Sequence, residues 1–216
     1  MHFSKYRPAL NAYCGLLEEA RHRLSTLDRL LSGTTRLPLG AVHESSFLQL
    51  RMLCETIALG CVIAQGDHDP TKKITKEYSA DRLIEYMDRI HPEFYPRGAN
   101  QTAAGPAVYD AILLDHGYLT KEELRKLYIE CGAHLHRGSL KELGSQRTYD
   151  REHKAIRMWK EKIETLLRYH ILSMLDERTF VLFVLRNKEN NDQVGYAVIE
   201  SDELMNLLKT VKVMRQ

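Results

Sequence analysis

Along the N-terminal stretch, apolar side chains recur at alternating steps of three and four: Leu10, Tyr13, Leu17, Ala20, Leu24, Leu27 and Leu31. At 3.6 residues per turn this spacing puts them on one stripe of a helix. Glu18, Glu19, Arg21, Arg23, Asp28 and Arg29 fall on the other side, so the pattern predicts a helix with one buried and one wet face, closed by Gly33. From about Val42 to Gln65 the rhythm returns in Phe47, Leu50, Cys54, Ile57, Cys61 and Ala64, while Leu48, Met52, Leu59 and Ile63 cover much of the remaining circumference. A helix apolar on most sides belongs at the centre of a bundle. Set into it are Arg51 and Glu55, four residues apart and therefore spaced to pair.

A third helix is predicted from Ser79 to Ile90, with Ser79 as N-cap and Leu83, Ile84, Met87 and Ile90 facing inward. His91-Pro92 ends it, and the Gly- and Pro-punctuated run from Pro92 to Pro106, including Phe94-Tyr95-Pro96-Arg97-Gly98, reads as a long crossing loop. Thr120-Lys121-Glu122-Glu123 is a capping box that starts a fourth helix with stripe Leu124, Leu127, Tyr128, Cys131 and Leu135. After a turn around Gly138 to Gly144, a fifth helix is expected from about Asp150 to Asp176, its inward face given by Ile156, Trp159, Ile163, Leu166 and His170. The period then changes. Thr179 to Leu185 and Val194 to Ile199 are β-branched and aromatic-rich, and the polar turn Asn187 to Asp192 between them predicts a β-hairpin. Ser201 or Asp202 can cap a short terminal helix through Leu207 and Leu208.

The fold class expected is therefore mainly α: a four- to five-helix bundle with a small C-terminal β-hairpin and a short terminal helix. Residues 1–176 form the bundle, and 177–216 form the hairpin and helix packed on it as one globular unit.

Composition narrows the function classes. Hydrophobic residues make up 44% and charged residues 28%, which is globular usage. Thirty-one Lys and Arg against 29 Asp and Glu leave a net charge of +2, so any nucleic-acid contact must be local rather than a field over the whole surface. Cys14, Cys54, Cys61 and Cys131 are scattered, without a C-x-x-C pair, and mostly sit on apolar stripes, as buried free thiols of a reducing compartment do. The N-terminus lacks the apolar run of a signal peptide, and Arg51 and Glu55 interrupt the most apolar segment, Phe47 to Ala64. A cytoplasmic location with no membrane contact is the expectation.

Candidate chemistry gathers in Tyr128-Ile129-Glu130-Cys131-Gly132-Ala133-His134-Leu135-His136-Arg137-Gly138. His134 borders the apolar stripe four residues after Glu130, whereas His136 projects on the face of Arg125 and Gly132. Basic side chains at a helix C-terminus are also favoured by the macrodipole alone, so a packed His134 and a solvated His136 form the bland alternative. Cys131-x-x-His134-x-His136 has metal-capable residue types, but Cys131 belongs to the apolar stripe and no second ligand pair is evident, so no metal is expected. No Gly-x-Ser-x-Gly elbow, G-x-G-x-x-G or Walker-type loop occurs, and no cofactor is expected. What remains is metal-independent phosphodiester chemistry, in which His moves a proton and Arg stabilises phosphate charge.

The long first helix, the central helix Leu48-Gln49-Leu50-Arg51-Met52-Leu53-Cys54-Glu55-Thr56-Ile57-Ala58, the His-rich helix tip and the closing helix resemble the HEPN superfamily of bacterial helical domains. Asp81-Arg82-Leu83, His91 to Arg97 and Tyr128 to His136 are similar to uncharacterised HEPN-like proteins, and the resemblance covers roughly Leu10 to Leu175. It implies a bundle that often dimerises and, in many members, a metal-independent ribonuclease of toxin–antitoxin or anti-phage systems. Such enzymes carry an Arg four to six residues before a His at the end of a helix. In this chain Glu130 stands six before His136 and Ile129 five before His134, while Arg147 and His153 have the spacing but straddle the start of the fifth helix.

The candidate catalytic set is accordingly His134 or His136 as general base, Arg137 or Arg51 for the phosphorane charge, and Glu55 as partner of Arg51. Glu130, Tyr128, Tyr95 and Arg97 are candidate binding residues. The partners expected are a second copy of the chain, RNA, or a partner protein. Two rival functions stand beside the ribonuclease. One is a non-catalytic interaction module using the hairpin or the Tyr95 loop. The other is a small-ligand or nucleotide-binding bundle with Arg51, Glu55 and Tyr128 lining a pocket.

Overall fold

The computed structural model describes residues 5–66, 76–101, 111–135, 149–187 and 192–200. These residues form helices α1 (Arg7–Leu31), α2 (Leu39–Ala64), α3 (Ala80–Ile90), α4 (Lys121–Leu135) and α5 (Tyr149–Arg168), with strands β1 (Arg97–Gln101), β2 (Ala111–Leu113), β3 (Tyr169–Ser173), β4 (Thr179–Asn187) and β5 (Gln193–Glu200).

The mainly α expectation holds. The buried residues of α1 are the seven that the three-four rhythm selects, and each buried leucine among them contributes roughly 1.5–3 kcal/mol of transfer free energy. The α2 helix buries Phe47, Leu50, Cys54, Ile57, Cys61 and Ala64, and adds Leu53 and Ala58 on a second face. By length and composition α2 resembles a membrane span, yet it packs against α1, α3, α4 and α5. Leu48 and Leu59 keep part of it exposed. At Gly60 the two long helices approach so closely that a Cβ would lie 2.6 Å from Cε2 of Tyr13. The capping box of α4 forms as expected, the Thr120 amide donating to Glu123 Oε2 and the Glu123 amide to Thr120 Oγ1, each at 3.2 Å. Ser79 occupies the N-cap position of α3, but its hydroxyl makes no capping bond.

The β component is larger than the expected hairpin. The β4–β5 hairpin exists, and it is two-fifths of a five-stranded antiparallel sheet ordered β2-β1-β3-β4-β5. Two local corrections account for β3 and β1, while β2 stands in a stretch for which no element was expected. The fifth helix stops at Arg168 rather than running to Asp176, because Tyr169-His170-Ile171-Leu172 is aromatic and apolar on consecutive positions and is buried on both sides as a strand. The crossing loop contains β1, whose sequence RGANQ carries no strand pattern of its own. Its conformation is set by its neighbours: Arg97 and Gly98 pair with Ile171 and His170, and Ala99 to Gln101 pair with β2. The expected turn at 138–144 and the terminal helix at 201–208 lie outside the described residues.

Alternation along the strands gives the sheet two apolar faces. Leu172, Val181, Phe183 and Leu185 join the helical core. Tyr169, Ile171, Leu182 and Ile199, with Ala99 and Ala111, form a second cluster made of strand residues. His170 locks sheet to helix. Its Nδ1 donates to the Leu167 carbonyl at 3.2 Å, so its Nε2 accepts from the Tyr13 hydroxyl at 2.9 Å. Both groups are fully enclosed, and burial pushes the imidazole down to about 4 and the phenol well up.

Candidate functional site

The inward stripe of α2 extends one turn before Phe47 to His43, and that of α5 extends one turn before Ile156 to Glu152. These two side chains meet. His43 Nδ1 lies 2.9 Å from Glu152 Oε2, and because a carboxylate only accepts, Nδ1 carries the proton. His43 is 1% exposed, and its Nε2 has no hydrogen-bond partner.

The last turn of α4 brings His134 to the same carboxylate. Its Nδ1 lies 3.8 Å from Glu152 Oε1. The ring stacks flat on Phe47, with centroids 3.8 Å apart and planes 7° apart. Glu152 therefore sits between a buried imidazole and one whose side chain is 30% exposed. Two further rings border His43: Tyr149 at 5.5 Å and His153 at 5.7 Å between centroids. Arg157 Nε donates to His153 Nε2 at 2.9 Å, and its Nη2 donates to the Leu31 carbonyl at 3.0 Å. Burial, the Arg157 cation and His43 hold His153 below the usual imidazole value, which keeps it neutral near pH 7.

Of the residues singled out in the sequence, His134 joins this cluster, while His136, Arg137 and Arg147 lie outside the described residues. Arg51 does not reach an imidazole. Its Nε donates to Glu55 Oε1 at 3.2 Å and its Nη2 to the Tyr128 hydroxyl at 2.8 Å, with the guanidinium carbon 4.4 Å from the Tyr128 ring centre. Gly132 leaves room for this arrangement, since a Cβ there would lie 3.2 Å from Arg51 Nη1. Arg51, Glu55 and Tyr128 are thus one cluster, held together by their own bonds. Glu130 turns away from His134 and accepts from Trp159 Nε1 at 3.2 Å.

Tyr95 is corrected most clearly. Expected in a partner-binding loop, it is buried, donates its hydroxyl to the Leu119 carbonyl at 3.1 Å, and has its phenol raised well above the ordinary value by that burial. Apolar neighbours decide this, because Tyr95 packs into the main core beside Phe94. Arg97 is exposed at the start of β1.

Nucleophilic cysteine chemistry has no foothold among the described residues. Burial pushes the Cys14 thiol up to about 11 and the Cys131 thiol up to about 12, and raises Cys54 and Cys61 as well. Among the described residues no group of three or more His, Cys, Asp or Glu side chains is arranged to hold a metal ion.

Comparison with protein-family models, with curated proteins and with solved structures returns no match.

The sequence reading passed over His43, Glu152 and Tyr149. A signal was present for two of them: each stands one turn outside an apolar stripe, where a polar side chain is enclosed and needs a partner.

Proposed function

We propose that the chain is a HEPN-like helical protein that cleaves RNA without a metal ion, using the cluster around Glu152. What supports the reading is that one carboxylate faces two imidazoles, His43 behind it and His134 at the surface. A carboxylate at Nδ1 orients an imidazole so that Nε2 is turned to substrate, the arrangement that general-base catalysis by His uses.

In this scheme His134 Nε2 takes the proton of a ribose 2′-hydroxyl. The 2′ oxygen attacks the adjacent phosphorus, the bond to the 5′ oxygen breaks, and the leaving oxygen takes a proton from solvent water. The product end is a 2′,3′-cyclic phosphate. Arg157, beside His153, takes the place of Arg51 as the cation that meets the developing charge on the phosphorane oxygens. The same reading carries the homodimer and the role in cytoplasmic toxin–antitoxin or anti-phage systems that the family resemblance implies.

A second reading, a non-catalytic interaction module, draws on apolar residues left at the surface: Ile129 of α4 at 67% exposure, with Leu48 and Leu59 of α2. One experiment separates the two. Purified protein is incubated with mixed RNA in EDTA, and the products are analysed for 2′,3′-cyclic phosphate ends. The ribonuclease reading expects such ends to accumulate; RNA left intact favours the interaction module.

A further inference from the structure

Two concavities lie end to end along the solvent side of α5. The first, of about 570 Å³, lies between the last turn of α1 and Arg157, Lys160 and Glu164. The second, of about 330 Å³, continues from Glu164 and Arg168 onto the sheet, over Tyr169, Val184 and Leu185, with Arg186 and Asn100 beside them. Glu164 and Arg168 line both, so the two make one trough.

Its helical wall is a single stripe. His153, Arg157, Lys160, Glu164 and Arg168 follow one another at steps of four, three, four and four. From His153 to Arg168 the helix rises about 22 Å at the standard 1.5 Å per residue, the length of several extended nucleotides. One end of the trough is thus Arg157, bonded to a member of the imidazole cluster, and the other end opens between two arginines.

The charges along it are uneven. Asp28, Glu161 and Glu164 line the first cavity. Lys160 Nζ answers two of them at once, at 2.8 Å from Asp28 and 3.0 Å from Glu164. Arg168 and Arg186 are both exposed, and neither guanidinium meets a carboxylate or carbonyl among the described residues. Positive charge is therefore unanswered at the far end, directly beside an apolar floor. A strand whose phosphates are met by cations and whose bases lie on apolar side chains fits that combination; a duplex, with its base faces stacked away, has no use for the floor.

We infer that this trough is the track along which a single-stranded RNA reaches the imidazole cluster. Arg168 and Arg186 hold phosphates at its far end, and an unstacked base lies on Val184, the partly exposed apolar side chain of the floor. The inference rests on the proposed ribonuclease reading for its direction, and on the trough itself for its location.

The test uses a fluorescent single-stranded RNA of about ten nucleotides, 2′-O-methylated so that it cannot be cleaved, with binding to the full chain followed by anisotropy across a salt series. Arg168→Glu with Arg186→Glu is expected to weaken binding about tenfold or more and to flatten the salt dependence by about 1.4 in log–log slope, two phosphates at about 0.7 each. Thermal stability should be unchanged, since both side chains are exposed. A duplex of the same sequence should bind more weakly than the single strand. Equal affinity of the wild-type and doubly reversed chains for the single strand overturns the track, as does a preference for duplex. If the wild-type chain cleaves no RNA but the reversed arginines still cost affinity, the track stands and the catalytic reading falls.

Discussion

His170 is fully enclosed between α1 and the sheet, with both ring nitrogens engaged, and its imidazole is held near 4 against an ordinary value of 6.5. The folded protein thus keeps the ring neutral where the unfolded chain takes up a proton. Stability rises with pH wherever the unfolded state binds more protons, so this contribution is fully present above about pH 6.5 and is lost as pH falls toward 4. The gap between 6.5 and about 4 corresponds to on the order of 3 kcal/mol. Urea midpoints measured from pH 7 down to pH 4.5 should fall more steeply for the wild-type chain than for His170→Gln, and equal slopes would contradict this account. The same residue shows what single positions reveal. His170 was legible as inward-facing, because its place in the three-four rhythm of α5 and its place on β3 both point to the core. His43 and Glu152 were not, because a stripe is recognised by its apolar members and these two are its polar ends.

Among the elements, the apolar stripes of α1 and α2 were readable, since a 3.6-residue period recurs along both and the stripe residues are buried as it requires. Their contact was not readable, because it depends on one missing side chain. At Gly60 an added Cβ would sit 2.6 Å from the ring of Tyr13, which is itself fixed by its bond to His170. Alanine normally improves a helix interior by roughly 0.5–1 kcal/mol over glycine. Here overpacking of about 1–3 kcal/mol opposes that gain. Gly60→Ala should therefore lower the melting temperature, and a rise would show that Tyr13 yields freely. Strand β1 was illegible for a different reason. RGANQ has neither alternation nor β-branched residues, and only the neighbouring strands β3 and β2 supply its hydrogen-bonding partners. The apolar run at Tyr169 did contain a strand signal, but the helical stripe leading into it continued through His170 and masked the change of period.

At the scale of the molecule, the five helices and one face of the five-stranded sheet among the described residues share a core, and α2 lies at its centre. The candidate chemistry sits where three helix ends converge: the start of α2 with His43, the end of α4 with His134, and the start of α5 with Glu152. Sequence reading found the α4 end through its clustered histidines. It could not find the other two, because their convergence is tertiary and no spacing records it. If the cluster exists to cleave RNA, the His134 imidazole matters far more to turnover than its stacking on Phe47 matters to folding. The most direct measurement is therefore cleavage rate and melting temperature determined side by side for the wild-type chain and His134→Ala. The account predicts a rate lower by at least about a hundredfold, the usual span for losing a general base, with a loss of stability no larger than the one ring stacked on Phe47 supplies, about 0.5–1.5 kcal/mol. An unchanged rate, or a rate that falls only in step with lost stability, would contradict it.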